Sequence, residues 1–116
     1  MIRKTTAAAA LLALLAAPAL AHHGWSEYDQ NTPLTLEGTI KKSGYEHPHG
    51  FIELDAQGKV WKVVLAPPSR MKNRGLPQED LAAGNRARVE GYQKRSDPAE
   101  VRAERITVNG KTVELR

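Results

Sequence analysis

Between Pro67-Pro68 and Gly84 the spacing of apolar residues turns helical, while on both sides of that segment it alternates with a period of two. Three strands, a short helical connection and then more strands is an order that few small folds accommodate. Leu34, Leu36, Gly38 and Ile40 alternate with Thr35, Glu37, Thr39 and Lys41, the pattern of a half-buried first strand. Gly38 in its middle suits a bulge or a sharp bend. After a loop from Ser43 to Gly50, Phe51, Ile52 and Leu54 give a second strand. Ala56-Gln57-Gly58-Lys59 then turns the chain into a third, Val60 to Leu65, so these two read as a hairpin.

Pro67-Pro68 ends the third strand, because proline cannot donate to a ladder. Ser69 reads as the cap of a short turn through Arg70, Met71 and Lys72, with Gly75 ending it. Pro77 suits a first helical position, with Glu79 and Asp80 in the first turn and Gly84 after the last. Ala87, Val89 and Gly91 alternate as a fourth strand, and Ser96-Asp97-Pro98 marks a surface loop. Ile106 and Val108 lead into Asn109-Gly110, a strong hairpin signal, before Val113 and Leu115. The predicted class is mainly all-β: an OB-like barrel of five to six strands with one short helical segment between strands three and four. A small open β-sandwich is the alternative.

The first 21 residues follow other rules. Arg3 and Lys4 precede an uncharged Ala/Leu run from Ala7 to Ala17, then Pro18 and the small-x-small sequence Ala19-Leu20-Ala21. The run is far shorter than the ~20 residues that span a bilayer. It predicts a cleavable signal peptide over residues 1–21, a periplasmic domain over 22–116 and no stable membrane insertion after cleavage. Without Arg3 and Lys4 the remainder carries 15 Lys and Arg against 13 Asp and Glu, interspersed, which argues against a nucleic-acid partner. Cysteine is absent, so disulfides, thiolate metal sites and Cys nucleophiles are excluded.

All four histidines fall in two tight groups, His22-His23 and His47-x-His49. In an extended segment His47 and His49 face one side, with Pro48 stiffening the link. Imidazoles without thiolates favour Cu(II), and Zn(II) less. Cleavage after Ala21 gives His22 a free α-amino group of pKa ~7.7–8.0, which a metal can deprotonate near neutral pH. That amine and the His22 ring chelate one ion, and His47 or His49 completes a three-nitrogen site. Cleavage after Ala19 instead makes His22 the third residue, itself a square-planar chelate for copper. His22, His23, His47 and His49 are therefore the candidate metal ligands. Glu27, Asp29 and Glu46 are oxygen ligands or surface charges, Asp29 the latter.

Other chemistry is sparse. No nucleophile elbow surrounds Ser26 or Ser69, and no enzyme activity is expected. Arg70, Lys72 and Arg74 form a basic cluster that reads as a solvated helix face. Phe51 and Trp61 are core candidates, and also the candidate ligand surface of an OB barrel, for a sugar, a peptide or an envelope protein partner.

His22-His23-Gly24-Trp25, Leu36-Glu37-Gly38-Thr39-Ile40, Glu46-His47-Pro48-His49, Trp61, Pro67-Pro68-Ser69-Arg70 and Asn73-Arg74-Gly75 occur in this order. Together they resemble a family of small exported bacterial proteins of unknown function. Its members have a His-His pair after the signal, an Asn-Pro-His loop, a Trp-containing strand and an Arg-Gly turn before a short helix. The resemblance runs over residues 22–115. His47 stands where Asn is usual and Leu76 where Trp is common. The resemblance implies export and an OB-like fold, and no established activity.

Overall fold

The computed structural model describes residues 24–116. The predicted signal peptide and the His22-His23 pair lie outside the described residues. A 3-10 turn over Trp25–Glu27 leads into β1 (Tyr28–Gly44). Then follow β2 (Phe51–Ala56), β3 (Lys59–Val64), α1 (Pro68–Asn73), a second 3-10 turn (Gln78–Leu81), β4 (Arg86–Lys94), β5 (Asp97–Val108) and β6 (Lys111–Glu114). Neighbours in the sheet run β3-β2-β1-β4-β5-β6, and β3 also pairs with β5. That last pairing, parallel between Lys62–Val64 and Glu100–Arg102, closes five strands into a barrel. β6 extends it as a hairpin with β5. The OB-like barrel with a short helix between β3 and β4 is the fold observed.

Closure depends on bends in long strands. β1 pairs with β4 at Tyr28 and from Pro33 to Thr39, and with β2 from Thr39 onward, so one strand belongs to both halves of the barrel. The exchange is possible because Gly38 lacks a side chain: a Cβ there would overlap the Asp55 carbonyl. Lys41 is then skipped as Ile40 pairs with Leu54 and Lys42 with Glu53. Leu36, Ile40, Ile52, Leu54, Val63, Val89, Val101 and Ile106 point inward and are buried. Met71, Leu76 and Leu81, from α1 and the segment after it, join the same core.

Three local expectations are corrected. The helical pattern over 69–84 resolves into α1 and a 3-10 turn, and Ser69 lies inside α1, whose cap position is Pro67. β1 begins six residues earlier than its alternation indicates, through the polar run Asp29–Thr32. Ser96 stands in a tight turn, but Asp97 and Pro98 already belong to β5.

Candidate functional site

The loop between β1 and β2 is held at three points. Gly50 donates to the Ala66 carbonyl at 2.9 Å and accepts from Leu65 N–H at 2.8 Å. The Tyr45 hydroxyl donates to the Leu76 carbonyl at 2.7 Å. A Cβ at Gly50 would lie 2.6 Å from the Met71 methyl, so glycine lets the loop sit down on α1. The chain bends at His47 and Pro48 instead of running extended, which removes the basis for setting His47 and His49 on one side. His47 is exposed, whereas His49 is half-buried between two hollows that His47 does not line.

The first hollow, about 300 Å³, is lined by Gly24, Glu27, Tyr28, Pro48, His49, Val64 and Arg102. The second, about 230 Å³, is lined by Pro48, His49, Gly50, Phe51, Lys62 and Val64. Phe51 therefore stands beside His49. Trp61 does not: along β2 and β3 the buried residues Ile52, Leu54, Trp61 and Val63 face inward, and Phe51, Lys62 and Val64 face outward. Trp61 is buried, its indole N–H donates to the Ala56 carbonyl at 3.0 Å, and Lys59 Nζ lies 4.0 Å from its ring centre. The pleat thus puts the two aromatic rings on opposite faces, and a shared Phe51–Trp61 ligand surface does not form.

Arg102 forms the wall opposite His49. It projects from the outer face of β5 and is only 9% exposed, because the N-terminal 3-10 turn folds over it. The Trp25 ring sits 4.4 Å from the Arg102 guanidinium carbon and 4.2 Å from that of Arg116, with Tyr92 edge-on at 6.0 Å. The turn is tied down by Arg95 N–H to the Glu27 carbonyl at 3.0 Å, and by Lys94 between Glu27 (3.7 Å) and Glu100 (3.8 Å). The Tyr28 hydroxyl donates to Glu100 at 2.6 Å. Burial, and then that carboxylate, push the phenol well above the usual range, so it remains a donor.

His49 Nε2 lies 3.4 Å from Arg102 Nη2. Arginine only donates, so in this contact Nε2 offers its lone pair and the ring proton rests on Nδ1. Burial first, then Arg102 and Arg70, hold the ring below the ordinary value of 6.5. The sign follows. A chain whose folded histidine binds protons more weakly than the unfolded one loses stability as pH falls through about 6.5, and loses no more below the folded value. An NMR titration is expected to show His49 changing charge at lower pH than free histidine. A midpoint at or above 6.5 would contradict the neutral, lone-pair-bearing ring.

Among the described residues no group of three His, Asp or Glu converges as a metal site. His49 and Glu27 share one hollow, Phe51 shares the other with His49, His47 stands apart at the bend, and Trp61 is in the core. Arg102 was missed in the sequence because an arginine between Val101 and Ala103 reads as an outward, solvated strand position. Its burial comes from the chain's other end. No helix among the described residues is long and apolar enough to cross a membrane.

A family model matches residues 9–102, most of the chain. The chain belongs to the family of unknown function DUF6152. The DUF6152 match runs through the Trp25 turn and the His49 loop, and ends at Arg102, so it encompasses the hollow described above. No curated protein matches in sequence. Among solved structures, the TiaS–tRNA(Ile2)–ATP complex is similar, with a TM-score of 0.52 at 22% identity over 77% of this chain and 20% of that chain. The TiaS–tRNA(Ile2)–AMPCPP–agmatine complex gives the same values. The ZRD-deleted mutant of TiaS with agmatine gives a TM-score of 0.51 at 21% identity, over 76% of this chain and 25% of that one. The DUF6152 chain thus spans a fifth to a quarter of those chains, and the likeness concerns the fold alone.

Proposed function

We propose that this chain is an exported, periplasmic metal-binding protein, cleaved after Ala21, that holds Cu(II), with Zn(II) as the weaker fit. The observation that carries the reading is that Gly24 lines the same hollow as His49. His22-His23 immediately precedes Gly24 in the sequence, and Gly24 is the first described residue. The proposed ligands are the His22 amine and ring together with His49. Glu27 stands in the same hollow as an oxygen donor, His47 lies outside it, and His23 completes the proposed set.

Two properties of His49 support the assignment. Its ring is held neutral, as a ligand must be, and its lone pair makes only a long contact. At 3.4 Å that contact exceeds ordinary hydrogen-bond length, so a metal replaces it at little cost. The role that fits is sequestration or delivery of the metal.

The test is a Cu(II) titration of the processed protein, followed by EPR, with the N-terminus verified by intact mass. One equivalent bound with a nitrogen-rich tetragonal signal, lost in His22→Ala, is expected. Weak, nonstoichiometric binding that His22→Ala leaves unchanged would overturn the reading. A second reading, an OB-type ligand- or protein-binding accessory domain of the envelope without metal, draws on the hollow beside Phe51, Lys62 and Val64. Saturable binding of a sugar or peptide that Phe51→Ala abolishes would favour it.

A further inference from the structure

Two donor pairs stand at a spacing of four residues, Ser69 with Asn73 on α1 and Arg70 on α1 with Arg74 at its C-cap, so each pair lies along one side of the helix. Together with Pro67 these four side chains line a hollow of about 340 Å³, and no acidic residue lines it. The basic cluster Arg70-Lys72-Arg74 is therefore not uniform. Lys72 is exposed and does not line the hollow, while both arginines do.

The two guanidiniums are fixed by carbonyls rather than carboxylates. Arg70 donates to the Leu115 carbonyl and Arg74 to the Glu114 carbonyl, each through Nη1 at 2.9 Å. A guanidinium has five N–H donors, so each keeps most of its fork. Among the described residues neither arginine has an ion-pair partner. The Glu114 carboxylate feels Arg74 but is held by Arg105 at 2.8 Å. The excess positive charge extends beyond α1: Arg70 is among the groups that hold His49 and Arg102 below their ordinary values.

We infer that this hollow is a binding site for a phosphate group, held by Arg70 and Arg74 with the Ser69 hydroxyl and the Asn73 amide as neutral donors. A carboxylate presents two oxygens in one plane, which a single arginine fork engages side by side. Donors from four side chains match the several oxygens of a tetrahedral oxyanion, and the carbonyl bonds fix both arginines beforehand, which lowers the cost of ordering them on binding.

The experiment is calorimetric titration of the processed, metal-free protein with inorganic phosphate at low ionic strength, with acetate and glycerol phosphate in parallel. Saturable one-site binding of phosphate at millimolar concentration is expected, with acetate weaker. Arg74→Gln, at an exposed position, is expected to weaken it about tenfold, the scale of one charge-assisted hydrogen bond. Ser69→Ala/Asn73→Ala provides a second variant that leaves both carbonyl bonds intact, and is expected to weaken phosphate binding as well. His49→Ala is expected to leave it unchanged, which separates this site from the proposed metal site. Glycerol phosphate binding as tightly as phosphate identifies an esterified ligand, and weaker binding identifies the free anion. No saturable heat, equal affinity for acetate, or unchanged affinity in both variants would overturn the site.

Discussion

His49→Ala is expected to weaken Cu(II) binding about 100-fold, roughly 2.7 kcal/mol, with loss of one nitrogen from the EPR pattern. The size reflects the removal of a ring that the fold holds ready: neutral, half-buried and anchored through Gly50 and Tyr45. Arg102→Gln is expected to act in the opposite direction. A unit charge about 4 Å away is worth about 4 kcal/mol at an effective dielectric near 20, and screening leaves a fraction of that. Removing the Arg102 cation should therefore tighten copper binding by about tenfold or more, the equivalent of 1.4 kcal/mol. Both changes are read by competition against a chelator of known affinity, with circular dichroism confirming the fold. Unchanged affinity in His49→Ala would remove His49 from the ligand set. A weakened site in Arg102→Gln would mean that the arginine supports the metal rather than opposing it.

Gly38→Ala is expected to destabilise the barrel by about 3 kcal/mol or more, since the added carbon must displace backbone rather than a flexible side chain. It would overlap the carbonyl oxygen and carbon of Asp55, at the point where β1 passes from β4 to β2. For a domain of this size the loss corresponds to a fall in Tm of roughly 15 °C. Thermal and urea unfolding measure it directly. A change within about 0.5 kcal/mol, the range of an ordinary surface substitution, would show that β1 does not need glycine at its crossing.

The fold was legible because its alternation is clean where it matters. Leu34 to Lys41, Phe51 to Leu54 and Val60 to Leu65 mark β1, β2 and β3, and Pro67-Pro68 stops the third strand. The first half of β5 was not legible, for a physical reason. Glu90 pairs with Arg105 and Gly91 with Ala103, so Glu104 is an extra residue. Val101 and Ala103 face inward, then two consecutive residues face outward before Ile106 returns to the core. That slip breaks a period-two pattern in a single step. The start of β1 was hidden similarly by its polar run, whose pairing with β4 is interrupted between Tyr28 and Pro33.

The candidate site was legible only in part. His49 and Phe51 were visible as residue types in a short loop and strand, and the structure sets them side by side. Arg102 and Tyr28 were invisible because their neighbours come from distant parts of the chain. Glu100 lies 72 residues from Tyr28, and His49 lies 53 residues from Arg102. Trp61 was open to two readings because a large aromatic in a strand of unknown phase could face either way. Its pairing with Leu54 assigns it to the core.

The parallel seam between β3 and β5 has a kinetic consequence. Lys62–Val64 meets Glu100–Arg102 only after α1, the second 3-10 turn and all of β4 have been made. Until then a growing chain holds an open sheet, with the outer edge of β3 unpaired. Contacts so distant along the chain place such a domain among those that fold in milliseconds to seconds. The edge of β3, exposed during that interval, is where a folding failure would begin.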